Sequence, residues 1–283
     1  MIYKNQEQIF EEKQVGKVLY LSYPLLEQTG LVKHGFSTRI GGVSEGIWSS
    51  MNLSFSRGDK EENVRENFRR MAKALDVEAD SFVFSQQTHT TNVRKVTLED
   101  KGKGFAKPLD YYDVDGLVTN VPGLCLTTFY ADCVPLFFID PVHKAIGLSH
   151  SGWRGTVGKM GQATLQKMQE EYGTNPSDVI AAIGPSICQD CYEVSEDVIL
   201  EFQSAFDEKY WDSLYYKKEN GKYQLNLWKA NEIILEEAGV RKANIAVTNL
   251  CTCCNSETLF SHRASQGKRG NLAAFLALKQ EEE

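Results

Sequence analysis

Apolar residues recur along this chain in two rhythms. Short apolar runs bounded by turn residues predict strands over 15–23, 31–37, 80–86, 93–96, 117–119, 179–183 and 245–250. Three further runs, beginning at Leu124, Val134 and Ala145, are almost wholly apolar and read as buried strands. Polar groups interrupt them only at Asp132-Cys133 and at Ser149-His150. The helical rhythm predicts a helix over 63–76, with Val64, Phe68, Met71 and Leu75 on one face. It predicts another over about 156–172, carrying Val157, Met160, Thr164 and Met168 and ended by Gly173 and Asn175-Pro176. Ser195 is a good N-cap for a helix reaching about Phe206, residues 226–238 form one ended by Gly239, and 270–279 reads as a closing helix. The stretch 207–223 follows neither rhythm. Strands alternating with helices, and no linker or repeat, predict one mixed α and β domain over 1–283.

Charge and composition narrow the function. The net charge is -7, which excludes an extended basic face for nucleic acid. No run is long and apolar enough for a membrane span. The polar first fourteen residues lack the form of a signal peptide, so a cytoplasmic protein is expected. Seven cysteines, an odd number, argue against a disulfide framework and for thiols or metal ligands.

The residues that interrupt the apolar strands carry the candidate chemistry. His89, Cys133 and His150 all fall at predicted strand ends, and two imidazoles with one thiolate make a catalytic type of zinc set with one open position. Cys133 as a nucleophile with His89 or His150 as its base is the rival arrangement. The five histidines show neither an HExxH nor a zinc-finger spacing, so any centre must be assembled from distant segments. Cys188 and Cys191 with Cys251, Cys253 and Cys254 could close a structural zinc site, although ordinary thiols are the simpler expectation. Arg154 lies four residues after His150, just before the predicted helix start, where backbone N–H groups favour an anion; pairing with Asp132 is the alternative. The glycine-rich loop around Arg39, Gly41 and Gly42 is either an anion nest or a surface turn. Residues 101–108 form a candidate lid, and Asp115-Gly116 reads as a turn unless Asp115 is buried.

Together these segments resemble a known family. His34-Gly35-Phe36-Ser37-Thr38-Arg39 with Gly41-Gly42, then Ser50-Met51-Asn52-Leu53, Gln87-Thr88-His89, Asp115-Gly116 and Ala131-Asp132-Cys133 match its motifs in order. So do His150-Ser151-Gly152-Trp153-Arg154-Gly155, Ile183-Gly184-Pro185 with Tyr192-Glu193, Cys251-Thr252 and Phe260-Ser261-His262-Arg263. The chain thus resembles the YfiH/YlmD-like laccase-domain, or polyphenol oxidase, family from His34 to Leu276. The resemblance implies a compact α+β fold with central mixed sheets flanked by helices. It implies one zinc per chain on His89, Cys133 and His150. With the activity that it implies in view, Cys133, Asp132 and Arg154 are expected in catalysis, and Arg39, Asn52, Gln87, Arg154 and Arg263 at substrate and phosphate.

The activity so implied is phosphorolysis of purine nucleosides (adenosine, inosine, guanosine, methylthioadenosine) together with adenosine deamination, in a monomer that binds neither nucleic acid nor membrane. Copper-dependent phenol oxidation and peptidoglycan-precursor editing are the alternatives. Five histidines are too few for several coppers. Two positions depart from the family pattern. Thr90 stands where Gly is usual and is expected to narrow or stiffen the site entrance. Asn271 stands where Arg is common, so no anion-binding arginine beyond Arg263 is expected from the C-terminal segment.

Overall fold

Seven consecutive buried residues, Val134–Asp140, form the strand on which the layers can be read. Successive side chains of a strand point to opposite faces. Val134, Leu136 and Phe138 pack toward helices, whereas Phe137 and Ile139 pack toward a second sheet. The structure, a computed structural model, describes residues 1–280; 281–283, the last three of the expected domain, lie outside the described residues.

In chain order the strands are β1 (Glu11–Val15), β2 (Val18–Ser22), β3 (Val32–Ser37), β4 (Phe82–Phe84), β5 (Val93–Lys95), β6 (Gly116–Thr119) and β7 (Cys125–Tyr130). They continue with β8 (Val134–Asp140), β9 (Ala145–Ser151), β10 (Ile180–Ile183), β11 (Glu193–Val194), β12 (Tyr215–Lys217), β13 (Tyr223–Leu225), β14 (Ile245–Val247) and β15 (Leu272–Leu278). One sheet has the order β1-β2-β3-β15-β7-β4 and the other β14-β10-β8-β9-β6-β5; a small third sheet is β11-β13-β12. Most pairs are antiparallel, while β4–β7, β5–β6 and β10–β14 are parallel. Phe36, Leu126 and Leu276 of the first sheet meet Phe137, Ile146 and Leu148 of the second in one core.

Helices cover the outer faces. The helix Glu61–Leu75 lays Val64, Phe68, Met71 and Leu75 on the first sheet, and Asp76 ends it in a left-handed conformation. The helices Met160–Tyr172 and Leu227–Glu237 cover the second, and Glu196–Ala205 packs against β13 of the third. The result is the expected α+β architecture of mixed sheets flanked by helices, in a single compact body. No helix among the described residues is long and apolar enough to cross a membrane.

Several elements differ from the sequence expectation. Residues 270–279 are not a helix: β15 is the strand between β3 and β7. Its sequence, LAAFLAL, buries Leu272, Ala274 and Leu276 on one face and Ala273, Phe275 and Ala277 on the other. Burial on both faces erases the alternation that marks a strand, and pairing on both edges overrides the helix propensity of Ala and Leu. The helix expected over 156–172 is two, Trp153–Val157 and Met160–Tyr172, separated by Gly158 and by Lys159 at φ 61°. The run 15–23 is the second half of a hairpin that turns at Gly16, φ 59°. Ser195 precedes its helix, but its hydroxyl bonds the Asp197 carboxylate and caps no backbone N–H. Residues 207–223 hold a short helix, Trp211–Leu214, then β12 and the start of β13.

Phe68 joins fold to site. Its fully buried ring contacts Phe55, Phe82, Phe84, Phe105, Phe129 and Phe275 at centroid distances of 4.9–6.5 Å. Truncating such a residue to Ala costs roughly 3–5 kcal/mol. His34 is a second buried group, accepting the Tyr23 N–H at its Nε2 (2.8 Å). Burial lowers its pKa from 6.5 to about 4, so folding favours the neutral ring. Above pH 6.5 both states are neutral and nothing is lost. As pH falls from 6.5 toward 4, only the unfolded chain takes up this proton, and stability should drop by about 1.4 kcal/mol per pH unit from this group. Urea unfolding of the wild type and His34→Gln, which keeps an acceptor for Tyr23, should show the variant losing less stability across that window.

Candidate functional site

The register of β8 and β9 assembles the centre. Val134 pairs with Ser151 and Pro135 with His150, which sets Cys133 opposite Gly152. A side chain at Gly152 would begin 2.9 Å from the His89 ring and 3.1 Å from the Cys133 sulfur, so only glycine lets this turn close on both groups. His89 arrives from the loop after β4, with Nε2 4.0 Å from the Cys133 sulfur. The His89 and His150 rings stand nearly perpendicular, 5.0 Å apart. One ligand atom from each of His89, Cys133 and His150 lies within 4.8 Å of the others.

Asp115 holds two of these three in place. It is fully buried beside the His150 strand, so the simple turn reading does not hold. Its carboxylate accepts N–H bonds from Thr88 (2.8 Å), His89 (3.2 Å) and Thr90 (3.2 Å), and the His150 Nδ1 lies 2.7 Å from Oδ1. Those amides fix His89 at φ 68°, a conformation unfavourable for a residue with a Cβ. With Nδ1 directed at Asp115, His150 presents Nε2 to the centre. Burial pushes the Asp115 carboxyl up, but His150 and the amides outweigh it and hold it below the usual range. Burial likewise raises the Cys133 thiol, and the two imidazoles reverse this, bringing it down to about 6. Burial disfavours a charged His150, yet Cys133 and Asp115 raise it to about 9. A thiolate between two imidazoles, one oriented by a buried carboxylate, is a donor set that fits a tetrahedral metal ion with one position open.

The centre opens into a cavity of about 650 Å³. Phe55, Phe84, Phe105 and Phe129, all packed on Phe68, form much of its wall. Gly104 to Pro108 complete that wall, so the candidate lid is built into the pocket lining. Arg57, Arg65, Lys107 and Arg269 bring cations to it. Arg269 is nearly buried, its Nε has no hydrogen-bond partner, and its Nη1 donates to the Gly270 carbonyl and to Asn271. Burial, and then the nearby Arg57 charge, lower its pKa to about 10.

Of the residues expected at the site, Gln87 lines the pocket, its amide bonded both ways to the Phe129 backbone (2.7 and 2.8 Å). Asn52 lies behind the lining, fully buried, accepting from Ser54 and Asn271 and donating to Ser54 and Asp59. Asp132, at φ 89°, spends both carboxylate oxygens on Thr252 Oγ1 (2.6 Å) and the Arg263 N–H (2.7 Å), while its carbonyl accepts from Ile187. Arg39 donates to the carbonyls of Ser49 and Ser256 and stacks on Phe260. Arg263 donates to the carbonyls of Cys191 and Glu193. Arg154 sits inside the one-turn helix, stacked on Trp153 at 4.3 Å, and not ahead of a long helix. None of Arg39, Arg154, Arg263 and Asp132 is in the pocket lining.

The glycine-rich loop is no nest: Gly41 and Gly42 let it lie directly on the backbone of Lys17 and Ser50, and the N–H groups of Gly42, Val43 and Ser44 are already bonded. Thr90 contributes a backbone N–H to Asp115 and does not line the pocket. The C-terminal segment does supply a further arginine, Arg269, and Asn271 is the residue that accepts from it. Arg57 and Arg269 were thus missed as pocket residues, their only sequence signal being two arginines in charged loops, whereas Asp115 stands in a motif that reads as a turn unless buried, and it is buried.

The sequence profile of the family described as multi-copper polyphenol oxidoreductase laccase matches residues 33–279. A Bacillus subtilis protein named purine nucleoside phosphorylase YlmD is 37% identical over 250 residues, covering 87% of this chain and 88% of that one. The crystal structure of the Bacillus licheniformis hypothetical protein YfiH superposes with a TM-score of 0.89 at 33% identity, covering 96% of this chain and all of that one. That of YlmD from Geobacillus stearothermophilus gives 0.88 at 33% identity, over 96% and 99%.

Asp115→Asn keeps the shape but loses the charge that orients His150. Metal affinity of the centre, read by competition with a chelator, should fall roughly 10- to 100-fold. Unchanged affinity would remove Asp115 from the support of this centre.

Proposed function

The chain belongs to the family described as multi-copper polyphenol oxidoreductase laccase, and from that premise we propose that it is a purine nucleoside phosphorylase whose centre binds one zinc ion. The observation that carries this reading is one cavity lined by the His89-Cys133-His150 centre, by an aromatic wall and by arginines that include Arg57 and Arg269. A cavity of about 650 Å³ suits a nucleoside with its phosphate. The phenylalanines offer stacking surface to a purine. Arg57 and Arg269 both line the cavity and lie close enough for their charges to oppose one another, an opposition that an anion bound there would relieve. Phosphate is assigned there, not to Arg154.

In phosphorolysis a phosphate oxygen forms a bond to the ribose C1′ as the bond from C1′ to the purine nitrogen breaks, its electron pair leaving with the base. Arg57 and Arg269 hold and orient the phosphate, and Arg269 is itself held by Asn271 and Gly270. The aromatic wall offers the base a stacking surface. When bound, zinc supplies Lewis acidity at the His89-Cys133-His150 end of the cavity. Asp132 acts as a positioning residue that holds the turn before Cys133. Adenosine, inosine, guanosine and methylthioadenosine are the proposed substrates, with hydrolytic deamination at the same centre, in which adenosine and one water give inosine and ammonia.

The family description in terms of several coppers suits this chain less well. Besides the centre, His34 accepts from Tyr23, His143 pairs with Asp140 and His262 lies beside Arg269. Among the described residues no second histidine cluster exists to hold further coppers.

Metal-loaded protein incubated with each nucleoside, with and without phosphate, should release base and ribose-1-phosphate, detected by mass, only when phosphate is present. No release from any of the four would sink the reading and favour the precursor-editing amidase. Arg269→Gln should lower phosphate-dependent turnover roughly 10- to 150-fold, the loss of about 1.5–3 kcal/mol from a charged hydrogen bond, with zinc content unchanged. Deamination, which uses no phosphate, should fall far less.

A further inference from the structure

Four of the seven cysteines meet at a second place, away from the pocket. Cys188 and Cys191 bracket the single turn Gln189–Cys191, and Cys251 and Cys254 bracket the turn after β14. Both pairs have the spacing Cys-x-x-Cys, which Cys253 obscures in the second. One sulfur from each of the four lies within 4.8 Å of the others, and those of Cys191 and Cys254 are 3.5 Å apart. Cys188 and Cys251 are buried, and the other two are half-buried. The Cys251 sulfur also accepts backbone N–H groups from Cys188 (3.2 Å) and Cys254 (3.4 Å). Amides aimed at one sulfur stabilise a thiolate and orient it as a ligand.

We propose that Cys188, Cys191, Cys251 and Cys254 bind a second, structural zinc ion in a closed tetrahedral site. Two Cys-x-x-Cys turns facing each other supply four soft ligands, the set that selects zinc. Each thiol gives its proton to solvent as its sulfur bonds the ion, so no oxidant or reductant is needed. With four protein ligands no position is open to substrate, and the role is to hold structure. What it holds follows from the neighbours in sequence. Ile187, before Cys188, donates its N–H to the Asp132 carbonyl (3.0 Å). Thr252, after Cys251, donates its hydroxyl to the Asp132 carboxylate (2.6 Å). The ion thereby ties together both segments that clamp the turn leading to Cys133.

This assignment is independent of the metal at the His89-Cys133-His150 centre, and the test separates the two. His89 is exposed, so His89→Ala should remove a ligand of the first centre without unfolding the chain. Full-length His89→Ala protein, prepared under reductant, reconstituted with zinc and desalted, should retain about one zinc per chain. Its cobalt form should show thiolate-to-cobalt charge transfer with the intensity of four thiolates. Four cysteines should resist alkylation until a chelator is added. Cys188→Ser with Cys254→Ser in that background should lose the remaining zinc. If this double variant does not fold, the His89→Ala protein alone decides. No retained zinc, alkylation indifferent to zinc, or a cobalt spectrum of two thiolates or fewer overturns the proposal. So does bound iron in the protein as purified, or a disulfide, seen as a mass lower by two hydrogens. Equal zinc in wild type and His89→Ala would instead count against the first centre only.

Discussion

One buried carboxylate organises the centre of this protein. Asp115 has no access to water and carries a charge that must be met entirely by donors. Three amides of the Thr88–Thr90 loop and one imidazole meet it. The loop cannot relax without leaving that charge bare, and the imidazole cannot rotate for the same reason. Two residues from distant segments are therefore aligned by a single electrostatic demand. The third, Cys133, is aligned by strand register and by the absence of a side chain at Gly152.

The aromatic wall shows the same economy in an apolar form. Phe68 belongs to the core between a helix and the first sheet, yet four of the six rings it touches, those of Phe55, Phe84, Phe105 and Phe129, line the cavity. Packing that stabilises the fold is thus also packing that shapes the pocket, and the wall is as rigid as the core behind it. On the polar side, Asn52 connects the backbone of Asn271 to the loop carrying Ser54. The two segments that deliver Arg57 and Arg269 are in this way fixed to one another.

Cys133 and His150 were legible because polar residues interrupting buried strands have few other reasons to be there, and His89 because it follows the end of a predicted strand in a recognisable motif. The helix carrying Phe68 was legible because one of its faces is wet. Where both faces are dry, as in β15, the rhythm disappears and composition misleads. The arginines show a different limit. Arg39, Arg154 and Arg263 lie in recognisable motifs, but two of them are engaged by backbone carbonyls and the third stacks on Trp153. Arg269 faces the cavity because Asn271 and Gly270 hold it there, a tertiary circumstance with no local signature. The paired Cys-x-x-Cys spacing, in contrast, was present in the sequence and hidden only by an extra thiol.

The position of β15 bears on how the molecule is made. It fills the slot between β3 and β7, so the first sheet joins residues from opposite ends of the sequence. During synthesis β3 and β7 leave the ribosome long before their shared neighbour exists. Until then each exposes an unpaired edge and the apolar faces that β15 will cover. The second sheet grows outward from the β8–β9 hairpin, and its latest strand, β14, adds only at an edge. The nascent chain therefore carries one sheet lacking only an edge strand and one sheet open at its interior, and the open sheet is the one a chaperone would have reason to hold.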